Sequence, residues 1–305
     1  MRLKVLILLT LGITALWSGC RQAESSTSDE VLDCQVMTEP PTLHPLLGML
    51  NSSGTTVQAY TSETLTSYSP ETGKPTAFVS ALPEASEDFK QFTYTIFKEA
   101  AWPDGTPITG EDVLFSTKVM SCPLSSDSRL IQGICSKIES MSIPEGEPRK
   151  VVLRLKKASI QNPYLMGDVP LMDKRFFDPE GIMEKYSLDD MLNKESLERV
   201  MADSALKRWG EKFLGSDFGI KPENLRGLSG PYQVVEWLPR ERIVISRNPN
   251  YWGKGRKGML YQQGPKQIAF RPIRDGNAIA LQVKQGAVDA ATFMPFENWE
   301  SLQNN

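Results

Sequence analysis

The chain has 305 residues, 40% of them hydrophobic and 23% charged, which is the composition of a globular protein large enough to bury one extensive core or two ordinary ones. Its 37 acidic residues outnumber 34 basic ones, so there is no overall basic field of the kind that nucleic acid requires, and no nucleic-acid partner is expected. The sequence has one histidine and no His-Glu-x-x-His, Cys-x-x-Cys, Gly-x-Ser-x-Gly or Walker pattern. It therefore offers no hydrolytic triad, zinc site or phosphate loop, and no cofactor or metal is expected. Asp189 and Asp190 are adjacent and point apart, so they do not make an acid-base pair.

At the start, Arg2 and Lys4 precede an apolar run from Val5 to Trp17. Thirteen residues are too few to cross a bilayer as a helix and suit the core of an export signal. The run ends in Leu16-Trp17-Ser18-Gly19-Cys20, which is similar to a bacterial lipobox, with Trp17 where leucine is usual. That similarity implies a signal peptide over 1–19 and lipidation at Cys20, hence a membrane contact through a lipid anchor. Removing Arg2 and Lys4 from the 34 basic residues leaves 32 against 37 acidic, so the mature chain is acidic. Residues 20–30 are polar and serine-rich and read as the lipidated terminus and its tether. Three cysteines remain in an oxidising compartment. Cys122 and Cys135 are expected to pair, closing a loop of about 14 residues that would contribute roughly 3 kcal/mol. Cys34, inside a predicted strand, is expected as a buried free thiol.

From Val31 to Met37 the chain is strand-like, with Leu32, Cys34 and Val36 on one face, until Glu39-Pro40-Pro41-Thr42-Leu43-His44-Pro45 breaks it. His44 reads as a turn histidine without chemistry. A helix is expected from about Thr55, where Val57, Tyr60, Thr64 and Leu65 recur at helical spacing, and Ser69-Pro70-Glu71-Thr72-Gly73 makes a turn. Phe92, Tyr94 and Ile96 then alternate with Thr93, Thr95 and Phe97 in a strand ending at Trp102. Pro103-Asp104-Gly105 reverses the chain, and Thr109 caps a helix whose first turn carries Glu111 and Asp112.

Between Met120 and Pro148 the pattern is loop-like, and Val151 to Leu155 forms a strand. From Asp173 to Gly227 it turns helical, with Leu197, Val200, Met201, Ala205, Trp209 and Phe213 on one broad face read as core. Gln233 to Trp237 and Arg242 to Arg247 form a hairpin. Ile268, Phe270 and Ile273 make a further strand, and Asp275 caps a helix carrying Ala278, Leu281 and Val283. Gly253-Lys254-Gly255-Arg256-Lys257-Gly258 could hold an anion, but it lacks the strand and helix of a phosphate loop and reads as a solvated turn.

Two blocks carry a resemblance. Trp102, Asp104, Gly105, Pro107, Thr109, Glu111, Asp112, Val113 and Phe115 resemble the signature of bacterial extracellular solute-binding proteins of the oligopeptide and dipeptide class, family 5, the receptors of ABC importers. Gly110 departs from the usual alanine, and Glu99 and Ala101 fall in a segment that is often basic and glycine-containing. Gly230-Pro231-Tyr232, a hairpin, and then Arg247-Asn248-Pro249-Asn250-Tyr251-Trp252 repeat the family's order.

The resemblance implies an α/β, periplasmic-binding-protein-like type II fold of two lobes that close about a hinge, over a solute-binding domain at 31–305 with a helical excursion at about 173–227. Family members continue past the point where this chain stops, so only the N-terminal portion of the fold is expected here. It also implies capture of extended peptides through their backbone, delivery to an ABC permease, a monomer, and a place at the periplasmic side of the cell envelope. Met49, Leu50, Asn51 and Ser52 fall where the family contacts its ligand. Nickel chelates, haem or sugars stay open as ligands of the same fold, as does a sensory lipoprotein without a transport role. No enzyme activity is expected.

Overall fold

The computed structural model describes residues 31–125 and 128–303. The signal peptide, Cys20 and the tether lie outside the described residues. Strand β1 (Val31–Val36) leads through a loop and a short 3-10 turn (Gly48–Leu50) into helix α1 (Ser52–Thr61), where the Asn51 side chain accepts from the Gly54 amide. Strands β2 (Thr66–Tyr68) and β3 (Pro75–Ala77) form a small hairpin. Next come β4 (Glu84–Ala85) and β5 (Gln91–Thr95).

The turn after β5 is built as its residues require. Gly105 takes a φ of 86°, its amide bonds the Trp102 carbonyl at 2.8 Å, and the Asp104 carboxylate accepts from Thr106. Helix α2 (Gly110–Ser121) then opens on a capping box in which the Thr109 amide donates to Asp112 at 2.9 Å. The segment expected as a loop contains α3 (Arg129–Cys135) and β6 (Ile138–Ser142) instead. A seven-residue helix shows too little periodicity to be read from sequence; Ser128 caps it, and Ile131 and Cys135 bury one side.

After β7 (Lys150–Leu155) comes α4 (Asn162–Gly167), and the helices α5 (Lys174–Phe177), α6 (Leu188–Leu192), α7 (Lys194–Ala202) and α8 (Ser204–Phe213) lie within the helical excursion. Strands β8 (Tyr232–Leu238), β9 (Arg242–Arg247) and β10 (Gln267–Pro272), helix α9 (Gly276–Lys284), strand β11 (Ala290–Ala291) and helix α10 (Phe296–Gln303) complete the described chain.

Two sheets result. One has the order β11-β1-β10-β9-β8, parallel across β11, β1 and β10 and antiparallel beyond; the other is the antiparallel β4-β5-β7-β6. Each sheet has its own core. Val36, Ile245, Ile268 and Phe270 join Val200, Leu206 and Phe213 of the helical excursion in the first, and Phe92, Tyr94, Val151 and Leu153 anchor the second. Helix α2 serves both, giving Val113 to the second core and Phe115, Val119 and Met120 to the first. One α/β body therefore hangs on this helix.

The expected Cys122–Cys135 bond is absent, which corrects that pairing: both are free thiols, buried in the first core. Cys122 ends α2 beside Ser125, and Cys135 ends α3 beside the Ser121 hydroxyl; burial raises both thiols above their ordinary range. Apolar packing with Ile131 and Met120 joins these helices without a covalent link. Cys34 is a free, half-buried thiol pushed up to about 11 by burial and by the nearby Asp289 and Asp33 carboxylates.

Candidate functional site

Strands β1, β10 and β11 run parallel, so their carboxyl ends lie together, on the side where α/β sheets hold ligands in a crevice. Gln35 knits that end together. Its side chain is fully buried; the amide nitrogen donates to the Ile273 carbonyl at 2.7 Å, and the oxygen accepts from the Thr292 and Phe293 amides at 3.1 and 3.3 Å. One residue thus fixes the chain leaving β10 and β11 against its own strand. Strand alternation puts Gln35 on the face opposite Cys34 and Val36, and nothing in the sequence distinguishes a buried glutamine there from a solvated one.

On this crevice side of the sheet, apolar side chains are exposed near the knot. Met37 and Phe293, just beyond β1 and β11, are exposed, as is Leu50. Glu39 forms a side wall by accepting from the Trp237 indole at 2.8 Å and the Arg240 amide at 3.0 Å, which draws the tip of the β8–β9 hairpin toward the loop after β1. Arg240 holds a φ of 64° at that tip.

Met49, Leu50, Asn51 and Ser52 lie together at the junction between the 3-10 turn and α1. Ser53 shares contacts of 3.4 and 3.5 Å with Thr38, so the N-terminus of α1 abuts the end of β1 and these four residues border the crevice. Their backbone is coiled: the Leu50 and Asn51 amides bond Leu47 and Gly48 carbonyls, and the Met49 carbonyl accepts from Thr55. Only Asn51 is extended. The four residues accordingly form a coiled segment with an exposed Leu50 side chain, not an unpaired strand edge.

Two buried titratable groups are structural, His44 near the site and Glu63 toward the opposite end of the sheet. His44 packs edge-on against Phe213, its centroid 4.4 Å away; Nδ1 accepts from the Leu46 and Leu47 amides, and Nε2 lies 3.0 Å from the Phe213 carbonyl. With one ring nitrogen fixed as acceptor the ring is neutral, and burial pushes it down to about 4. Glu63, fully buried, accepts from the Tyr251 hydroxyl and the Trp252 indole, each at 2.8 Å. Burial pushes its carboxyl up to about 7. The Tyr251-Trp252 pair of the second sequence block thereby closes onto the residue that follows α1 and Ser62. No group of three His, Cys, Asp or Glu among the described residues could hold a metal, and no described helix is long and apolar enough to cross a membrane.

A parallel-sheet end flanked by a helix N-terminus and a hairpin tip is where α/β folds hold ligands. The family model of bacterial extracellular solute-binding proteins, family 5, matches residues 66–305, and the chain belongs to that family. The periplasmic oligopeptide-binding protein OppA of Salmonella typhimurium is 23% identical over 222 residues, covering 72% of this chain and 35% of that protein. The oligopeptide-binding protein OppA of Bacillus subtilis is 22% identical over 307 residues, covering 98% of this chain and 50% of that protein.

Among solved structures, the oligopeptide-binding protein of Thermus thermophilus complexed with a pentapeptide superposes with a TM-score of 0.66 at 20% identity, over 88% of this chain and 46% of that one. The fold is therefore that of type II periplasmic binding proteins. The chain spans between a third and a half of the length of these relatives.

Proposed function

We propose that this chain supplies one wall of a peptide-binding site in the receptor of an ABC importer, with the crevice at the ends of β1, β10 and β11 as that wall. The observation that carries the reading is the Gln35 knot, which holds three strand ends rigid beneath the exposed Met37, Leu50 and Phe293 side chains. A peptide lying there would meet apolar side chains and first-turn amides, and contacts to its backbone would leave its own side chains largely unread. Relatives that bear oligopeptide-binding names, one solved with a pentapeptide, support the same substrate class.

Met49, Leu50, Asn51 and Ser52 are the contacts proposed from the α1 side. Cys20 is proposed as the lipid anchor that keeps the receptor, as a monomer, at the periplasmic side of the envelope beside its permease.

The test is a nuclear magnetic resonance titration of the chain with tri- to pentapeptides of varied sequence. Shifts confined to Met37, Leu50 and Phe293 and their neighbours, with affinities within about tenfold across sequences, are expected. Absence of shifts there with every peptide would overturn the reading.

A further inference from the structure

At the end of the first sheet opposite the crevice lies a cleft of about 640 Å³ whose lining includes Arg247, Lys254, Arg256 and Lys266 and no carboxylate. In a chain with more acidic than basic residues, four cations around one cleft form a local field of the opposite sign. Its walls are firm. The Gln263 amide donates to the Pro231 and Asn248 carbonyls at 2.7 and 2.8 Å, and Arg247 donates to the Pro265 carbonyl at 3.0 Å.

Arg256 is held among three rings, 4.3 Å from the centroid of Phe97, 5.1 Å from Tyr261 and 5.2 Å from Trp252, with Glu99 at 3.5 Å as the acidic group that faces it. Lys254 and Lys266 are exposed and make no ion pair among the described residues, and Lys257 adds a further exposed cation next to Arg256.

The sheet register places this cleft. Val31 pairs with Gln267, Gln267 with Ser246, and the Arg247 amide bonds the Lys266 carbonyl at 3.0 Å. The first residue of β1, where the chain arrives from residues 20–30, is thus beside the strand whose preceding residue is Lys266. Eleven residues reach at most about 40 Å even when fully extended.

We propose that this cleft is a docking surface for anionic phospholipid headgroups of the membrane that holds the anchor. The placement rests on the reading of Cys20 as lipidated; the charge of the cleft does not. Headgroup phosphates would meet Lys254 and Lys266 first, and the attraction acts over a Debye length, about 8–10 Å at physiological salt.

The test labels the full chain on phosphatidylglycerol and on phosphatidylcholine vesicles with a water-soluble amine-reactive ester, and reads each lysine by mass spectrometry. Labelling of Lys254 and Lys266 at least about threefold slower on phosphatidylglycerol is expected, with the difference lost at 1 M salt and Lys212, beyond the other end of the sheet, unchanged. Equal labelling on both vesicles would overturn the proposal. Failure to sediment with phosphatidylcholine would tell against the anchor alone. The cleft is then judged by sedimentation with phosphatidylglycerol, which Lys254→Glu with Lys266→Glu must weaken at an unchanged melting temperature. Undiminished binding by that folded variant would also overturn it.

Discussion

Gln35 bonds the Ile273 carbonyl and the Thr292 and Phe293 amides from a side chain with no solvent to fall back on; its replacement would take this partner from the Phe293 amide and the Ile273 carbonyl and leave the Thr292 amide only its 3.3 Å bond to the Gln35 carbonyl. Gln35→Ala is expected to lower unfolding stability by about 2–3 kcal/mol in urea and to accelerate amide exchange at Thr292 and Phe293. A loss below about 0.5 kcal/mol would refute its role as the knot. Two other buried side chains act through protons. Glu63 has a folded pKa raised to about 7, so the folded state holds its proton more tightly than the unfolded one, and this contribution to stability is lost as pH rises from 4.5 to 7. Relative to wild type, Glu63→Gln should gain about 3 kcal/mol across that window, measured by urea titration at several pH values. His44, lowered to about 4, has the opposite sign: its contribution is present above 6.5 and lost as pH falls to 4. A His44→Asn variant should therefore differ from wild type by about 3 kcal/mol less at pH 4 than at pH 7. That His44 sits in a turn was legible from its prolines. Its burial against Phe213, 169 residues away, was not, because no local pattern records a tertiary partner.

Among the elements, α2 was the most legible, since a turn glycine, a threonine cap and an acidic first turn all act within a few residues. Asp112 carries more than the cap, for its second oxygen accepts from the Lys174 amide at 3.4 Å and so ties α5 to the start of α2. Thr109→Ala is expected to cost about 1 kcal/mol, and Asp112→Ala about 2–3 kcal/mol, by thermal or urea unfolding; equal losses would mean that Asp112 is a cap only. Gly110, the departure from the usual alanine, also finds its reason here. A Cβ would lie 2.9 Å from Ile143 and 3.1 Å from Val151, so the larger neighbour fills the space that an alanine would need. The helical face drawn through Leu197 and Phe213 is divided at Asp203, which accepts from the Ala205 and Leu206 amides and starts α8 afresh. Helical spacing survives a one-residue break, so periodicity alone could not show it. The Met49–Ser52 segment was placed by resemblance, and its coiled backbone follows from Asn51 capping α1 three residues earlier than the apolar spacing suggested.

For the whole molecule, the α/β class and the order of the main strands were readable, because β5 and β7 alternate, β9 and β10 are short runs of apolar residues, and the β8–β9 and β5–α2 turns carry proline or glycine. The pairing was not. β1 is joined to β10 and β11, and the chain departs through an entire second sheet before it returns. Val31 meets Gln267, so 236 residues must be made after Val31 before β1 can find its partner. At ribosomal rates of about 5–20 residues per second, that is a wait of roughly 10–50 s. Until β10 emerges the N-terminal strand has nothing to close upon, so the sheet that begins the described chain is locked only after the residues of the second sheet have been made.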